Sequence, residues 1–194
     1  MLPALTNPQK NSKGIQMNFG TLGKDRQDDL TNLFRSTFSV SEGDDEGKLI
    51  GDLASKLANA IDEVNVICFG ALQNQYLTGA IFFTRLIFMD DAPVYMLAPV
   101  AVSTPHQGAG IGKSLIKFAL NAITGKGAEV VVTYGDPAFY GRLGFEPLSE
   151  SVLKAPMKLS MPAGWLGQSL TGRPIQARQE RPGCVDAFRN PAYW

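Results

Sequence analysis

The chain has 194 residues, of which 44% are apolar and 19% charged, with 18 basic and 18 acidic side chains. That length suits one domain with a substantial core and is short for two. A formal charge of zero argues against nucleic acid or an anionic membrane as the main partner, since both select for basic surfaces. No apolar run nears the ~20 residues that span a bilayer.

The N-terminus, "MLPALTNPQKNSKG", lacks the apolar stretch of a secretory signal, so a reducing cytoplasm is the expected compartment. Residues 1–14 are polar, carry Pro3 and Pro8, and read as a flexible arm. "IQMNFGTL" (15–22) is a strand candidate. "KDRQDDLTNLFRSTFS" (24–39) places Leu30, Leu33, Phe34 and Phe38 on one helical face, with acidic residues at its positive end. A second helix is expected over 48–61, where Leu49, Leu53, Leu57 and Ile61 recur every fourth residue. The acidic "EGDDEG" between them reads as a solvated turn.

Strand texture follows. "NVICFGAL" (65–72) and "LTGAIFFTRLIFM" (77–89) flank "QNQY", a turn-like connection, and "DDAPVYMLAPVAVS" (90–103) adds a third run. Three close, consecutive runs favour an antiparallel meander. Cys68 lies within the first and reads as a buried small hydrophobe; nothing recommends a disulfide to Cys184. "GIGKSLIKFALNAITGKG" (110–127) is the clearest helix, and "AEVVVTYG" (128–135) reads as a buried strand. "DPAFYGRLGF" (136–145) reads as a short helix with Asp136 as N-cap and Pro137 in its first turn. Beyond it, "VLKAPMKLSM" (152–161) and "CVDAF" (184–188) are strand candidates around an unassigned Gly/Pro-rich segment. The expected fold class is α/β (α+β).

"HQGAGIGKSLI" (106–116) admits three readings. A P-loop requires a glycine five residues before "GKS", where this chain has Gln107. A dinucleotide fingerprint requires G-x-G-x-x-G, whereas Gly108, Gly110 and Gly112 give G-x-G-x-G, and Glu129 sits at the wrong end of the next strand. What remains is strand, glycine-rich turn and helix start. Missing side chains let backbone N–H groups approach an anion, and the helix start adds unpaired donors and a positive dipole end. The alternative is a plain glycine-rich turn.

A second motif follows, "FYGRLGF" at 139–145. The pair, in this order and spacing, resembles the GCN5-related N-acetyltransferase (GNAT) superfamily over roughly residues 15–150, and in particular its branch of predicted bacterial N-acetyltransferases. Gln107-Gly-Ala-Gly110-Ile-Gly112 fits that family's Q/R-x-x-G-x-G/A, and 139–145 fits FYxRxGF. Ala98 stands where the branch usually has glycine, and His106 where an aromatic is common.

The resemblance implies a mixed, largely antiparallel central sheet flanked by helices, and acetyl-CoA as co-substrate, with no metal. The backbone of Val100, Ala101 and Val102 would bind the pantetheine arm on a splayed strand. Amides over Gln107, Gly108, Ala109, Gly110, Ile111 and Gly112 would hold the pyrophosphate, with Lys113 and Ser114 in the first helical turn and Phe139 lining the cofactor. Tyr140 would protonate the departing thiolate. The plain reading of Tyr140 is a half-buried core aromatic.

The general base stays unassigned. His106 reads as loop packing, Asp136 as a cap, Ser103 is unmarked, and Glu63 with the acidic 42–46 cluster would suit the rim of a cationic amine. The expected reaction is acetyl transfer to a primary amine, on a small molecule or a peptide, by direct attack in a ternary complex. The rivals are an acyl-CoA-binding regulatory module without turnover and a P-loop phosphotransferase. The expected domains are the arm, an acetyltransferase domain over 15–150, and a C-terminal extension over 151–194. That extension would complete the sheet, shape the acceptor pocket, or reach a second copy of the chain as a homodimer.

Overall fold

The computed structural model describes residues 7–10 and 16–194. Its strands are β1 (Asn7–Lys10), β2 (Gln16–Leu22), β3 (Val66–Gln73), β4 (Tyr76–Arg85), β5 (Val94–Val102), β6 (Val130–Tyr134), β7 (Glu146–Pro147) and β8 (Trp165–Ser169). Its helices are α1 (Gln27–Glu42), α2 (Asp44–Ala60), α3 (Ile111–Gly125) and α4 (Pro137–Tyr140). The strands form one sheet in the order β1-β2-β3-β4-β5-β6-β8-β7. All recorded pairings are antiparallel except β5 with β6. A parallel pair needs a crossover, and α3 is that crossover.

Contacts divide the chain into two interleaved units. The first takes the described residues up to Phe82 together with Pro99–Leu120, and the second takes Phe83–Ala98 with Asn121–Trp194. Residues 151–194 belong to the same unit as β6, α4 and β7. Part of the expected N-terminal arm is strand, because Asn7–Lys10 pairs with Gln16–Phe19 of β2. The rest of residues 1–14 lies outside the described residues.

In the first unit the meander forms as its turns require. Asn74 and Gln75 join β3 to β4 with φ of 48° and 69°, the two positive values of a tight hairpin turn. Ser103 N–H donates to Thr78 O at 2.9 Å where β5 leaves β4. Phe34 of α1 meets Phe82 at 5.7 Å between ring centroids, and Phe118 of α3 meets Phe19 at 5.7 Å and Phe69 at 6.0 Å. Cys68 is buried and its thiol free, so burial pushes its pKa far up, only partly offset by a backbone N–H of Ile81. Cys184 is a free thiol as well.

The acidic link is not a turn of several residues. Glu42 ends α1, Gly43 alone makes the break at φ 99°, and Asp44, Asp45 and Glu46 form the first turn of α2. Their charge suits that helix's positive end. The two helices then run close together because glycines face α1: a Cβ on Gly47 would lie 2.8 Å from Arg35 O and from Ser39 N, and one on Gly51 2.8 Å from Arg35 Cβ.

In the second unit β6 pairs with β8, Val130 opposite Ser169 through Tyr134 opposite Trp165. This strand lies in the Gly/Pro-rich segment that sequence reading left unassigned. The strand expected over 152–161 is absent; Leu153 makes one isolated bridge to Arg178. That segment ends instead as a cover for Trp165, whose indole Nε1–H donates to Leu153 O at 2.9 Å. "CVDAF" is not a strand either, because Asp186–Phe188 is a 3-10 turn. Trp194 folds back on it, Nε1–H to Phe188 O at 2.9 Å, with its ring 5.9 Å from Phe188 and 6.5 Å from Trp165.

Two consequences are measurable. Replacing Gly47 by Ala forces α1 and α2 apart and is expected to cost about 1–3 kcal/mol in urea unfolding, as overpacking does. The second concerns Asp62, whose carboxylate accepts from the backbone N–H groups of Val64, Asn65 and Val66 and from the Asn65 amide. Partial burial raises its pKa, but these bonds outweigh it and leave a value below the ordinary 3.8. A lowered value contributes stability above the unfolded pKa that is lost as pH falls through the folded one. The stability gap between wild type and Asp62→Ala is therefore expected at neutral pH and shrinks below about pH 4.

Candidate active site

In the first unit, β5 carries Val100 and Val102 half-exposed on either side of Ala101, which is buried. β6 pairs with β5 only from Val94 to Leu97, so Val100–Val102 lies past the end of that ladder. Chain direction then changes through a 3-10 turn, Thr104–His106, with Pro105 in it. Gln107 turns its side chain back, and its amide Nε2–H donates to Val102 O at 2.9 Å.

Gly108 and Gly110 follow at φ 73° and 79°, a region that side chains rarely adopt. A Cβ built on either would meet nothing within 4 Å. Both glycines therefore serve backbone direction and leave open space above the turn. Gly112, by contrast, sits where a Cβ would touch Val102 Cγ2 at 3.4 Å. α3 starts at Ile111, and Ser114 N–H donates to Gly110 O at 3.0 Å. The amides of Ile111, Gly112 and Lys113 have no acceptor within the helix. Ile111 is buried, anchoring the start, while Gln107, Gly108, Ala109, Gly110 and Lys113 are exposed. Alternating glycines at positive φ before a fifteen-residue helix make a concave set of N–H donors suited to an anion.

In the second unit, Asp136 caps α4, its Oδ1 accepting from Ala138 N–H at 2.9 Å, with Pro137 in the first turn. The cap fixes Phe139 and Tyr140. Phe139 is 41% exposed, whereas Tyr140 is half-buried with its ring edge-on to Phe139 at 5.0 Å and Phe145 at 5.5 Å. Gly135 leaves room for that ring: a Cβ there would lie 2.7 Å from Tyr140 Cε2. Burial raises the Tyr140 phenol above its ordinary pKa, and the neighbouring Thr133 hydroxyl draws it partly back. Thr133 is itself buried, with its hydroxyl donating to Leu97 O at 2.9 Å.

Several sequence candidates for a base have other duties. Asp136 is occupied as the cap. Asp44, Asp45 and Glu46 open α2. His106 has both ring nitrogens near partners, Ser103 Oγ at 2.8 Å and Gln73 Oε1 at 3.1 Å. Sequence reading gave no sign of Gln73, whose partner His106 is thirty-three positions away, or of Thr133, which reads only as part of the strand before Tyr140. Among the described residues, no group of His, Cys, Asp and Glu could hold a metal ion. No helix among them is long and apolar enough to cross a membrane.

Residues 52–147 match the family described as the acetyltransferase (GNAT) domain. The uncharacterized N-acetyltransferase YjhQ of Escherichia coli is 36% identical over 103 residues, covering 50% of this chain and 57% of YjhQ. The uncharacterized N-acetyltransferase YhbS of the same organism is 32% identical over 120 residues, covering 59% of this chain and 64% of YhbS. The chain thus spans less than two thirds of the length of each relative. Among solved structures, a GNAT family acetyltransferase from Brucella melitensis in complex with acetyl-CoA superposes with a TM-score of 0.68 at 21% identity. That match covers 89% of this chain and 97% of the other. YhbS in complex with CoA gives 0.66 at 24% identity, over 80% and 82%. The mixed sheet of this chain is the fold of those structures, and both sequence motifs lie inside the matched residues 52–147. Residues 52–147 belong to the GNAT superfamily.

Proposed function

We propose that this chain is an acetyl-CoA-dependent N-acetyltransferase that acts on a primary amine. The observation carrying this reading is the turn at Gln107–Gly112, with two glycines at positive φ under open space and three helix-start amides behind them. A diphosphate fits such a cradle by hydrogen bonds alone, and the exposed Lys113 ammonium adds charge of the right sign. On this reading the amides of Gly108 to Lys113 hold the pyrophosphate, with Ser114 beside them. The end of β5 past the β6 ladder, Val100–Val102, offers its backbone to the amide-bearing pantetheine arm in the manner of an added strand.

Acetyl-CoA supplies an activated acyl carbon. The amine nitrogen bonds to that carbon as the carbon–sulfur bond breaks, within a ternary complex. The proton given up by the amine passes to solvent. The Tyr140 phenol, protonated at neutral pH at its ordinary pKa and held so more firmly by burial, delivers its proton from Oη to the leaving thiolate and takes one back from solvent. The acceptor class, a small-molecule or peptide amine, follows from the chemistry of the family. The arrangement of side chains supports the acid more strongly than any base, since Asp136 and His106 are both engaged elsewhere.

Ligand-induced stabilisation tests the cradle. CoA at a hundred times its dissociation constant is expected to add ~2.7 kcal/mol, raising Tm by about 5–10 °C for this size. A shift with ATP and Mg²⁺ but none with CoA would sink the reading. Tyr140→Phe tests the acid: kcat is expected to fall by roughly 10²-fold or more with CoA affinity unchanged. Equal turnover in the two proteins removes Tyr140 from the mechanism. CoA binding without turnover on any amine would favour the regulatory-module alternative. The raised phenol also fixes a pH sign. An acid must stay protonated, so its alkaline limb in kcat is expected above pH ~10, and a Tyr140-dependent limb below ~9 contradicts the assignment.

A further inference from the structure

We propose that Gln73, His106 and Ser103 form a side-chain clamp that pre-sets the pyrophosphate turn, with His106 as its positioning residue. The proposal rests on the functional reading above for the identity of the ligand. It concerns the lone histidine of the chain, which sequence reading took for loop packing and which the transfer chemistry leaves unused.

The geometry is local to one unit. His106 closes the 3-10 turn Thr104–His106, one residue before the turn whose glycines take positive φ. Its Nε2 lies 3.1 Å from Gln73 Oε1, and its Nδ1 lies 2.8 Å from Ser103 Oγ. A carboxamide oxygen only accepts, so Nε2 carries the hydrogen, and Nδ1 of the neutral ring accepts from the Ser103 hydroxyl. Each ring nitrogen thereby has one partner of the complementary kind. Gln73 is the last residue of β3, directly before the hairpin turn at Asn74–Gln75, so the ring is referred to a rigid strand end. Ser103 is fixed in turn by its N–H to Thr78 O at 2.9 Å, on the neighbouring strand. On the far side of His106, Gln107 bonds Val102 O through its side chain.

The turn needs such a clamp. Gly108 and Gly110 have open space around them and more accessible backbone states than any other residue type. A cradle of amides binds tightly only if its donors already point together, because ordering on binding subtracts from affinity. Buried Ile111 fixes the turn at its helix end. The Gln73–His106–Ser103 bridge fixes the other end. Neither nitrogen of His106 is left over for the ligand, which separates this role from direct phosphate contact.

The test compares wild type, His106→Ala, Gln73→Ala and the double variant. In the ligand-free proteins, hydrogen exchange is read at the amides of Ser103, His106 and Gln107, which are hydrogen-bonded in the clamp. Faster exchange there is expected in each variant, with protection in β3 and α3 unchanged. CoA titration is expected to weaken on the order of tenfold in each single variant, in line with one or two lost hydrogen bonds. The double variant is expected to be no weaker than the weaker single, because the two residues act as one bridge. In turnover, KM for acetyl-CoA rises while kcat at saturation stays at the wild-type value. A His106→Gln variant, still able to donate to Gln73, recovers part of the affinity.

Unchanged exchange and CoA affinity in both single variants overturns the clamp while leaving the functional reading intact. Additive losses in the double variant, or a fall in kcat with KM unchanged, overturns it as well, the latter pointing to a direct role for His106. Wild type that does not bind CoA overturns the functional reading first and the clamp with it.

Discussion

Parallel strands cannot be joined by a hairpin, and the one parallel pair in this sheet, β5 with β6, therefore requires a crossover. The ladder between them runs for four residues, Val94–Leu97 against Val130–Thr133, and then stops. β5 continues to Val102 without that partner, and the crossover begins with the turn at Gln107–Gly110 and the start of α3. Backbone groups on a strand end that has lost its β6 neighbour and at a helix start share one property: they include donors and acceptors left without a ladder or helix partner, Val102 O excepted because it accepts from the Gln107 side chain. Placed in sequence along a single stretch, they can serve a long ligand with amides at one end and phosphates at the other. The chemistry of the proposed cofactor is thus matched by backbone, and side chains are needed mainly to aim it.

Aiming is done differently in the two units. In the first, Ile111 is buried and Gln107 reaches back to Val102 O, so each flank of the glycines is tied down. In the second, a single short helix does the work: the Asp136 cap, Pro137 and the notch at Gly135 together leave Tyr140 one place to lie, edge-on between Phe139 and Phe145. Its burial is also what raises the phenol pKa, so packing and proton affinity have the same cause.

Local signals were the ones legible in the sequence. The positive-φ glycines, the Asp136–Pro137 cap, the hairpin between β3 and β4 and the long amphipathic helices each depend on neighbours within a few residues. The misread elements depend on distant ones. "WLGQS" becomes β8 only because β6 lies beside it, some 35 residues back, and a glycine in its middle hides any alternation. "CVDAF" has strand-like composition, yet the Trp194 indole and its bond to Phe188 O settle it as a 3-10 turn. The acidic "EGDDEG" reads as a solvated turn because charge runs usually are solvated; here three of its four charges sit at the positive end of α2, and one glycine suffices for the break. His106 is the same lesson at the site. Its partners are Ser103, three residues away, and Gln73, thirty-three away, and only the first is visible to local reading.

The aromatic end of the chain can be argued from the same distinction. Three aromatics in "DAFRNPAYW" suggest an exposed surface seeking a partner, and sequence reading kept a second copy of the chain among the options. Phe188 and Trp194 are 3% and 6% exposed; Trp194 lies tilted against Trp165 of β8 and edge-on to Phe188 in their own unit. Trp165 is fully buried and donates to Leu153 O, so the segment after β7 and the last residues close over one indole from two directions. β8 has only the two-residue β7 on its outer side, too short to shield it. A strand so thinly bordered needs apolar cover to stay in the sheet. The C-terminal aromatics supply that cover for β8 itself, and β8 in turn is the strand that pairs with β6 up to Tyr134, directly before the Gly135–Tyr140 turn. The extension is thus structural support for the strand that carries the proposed acid.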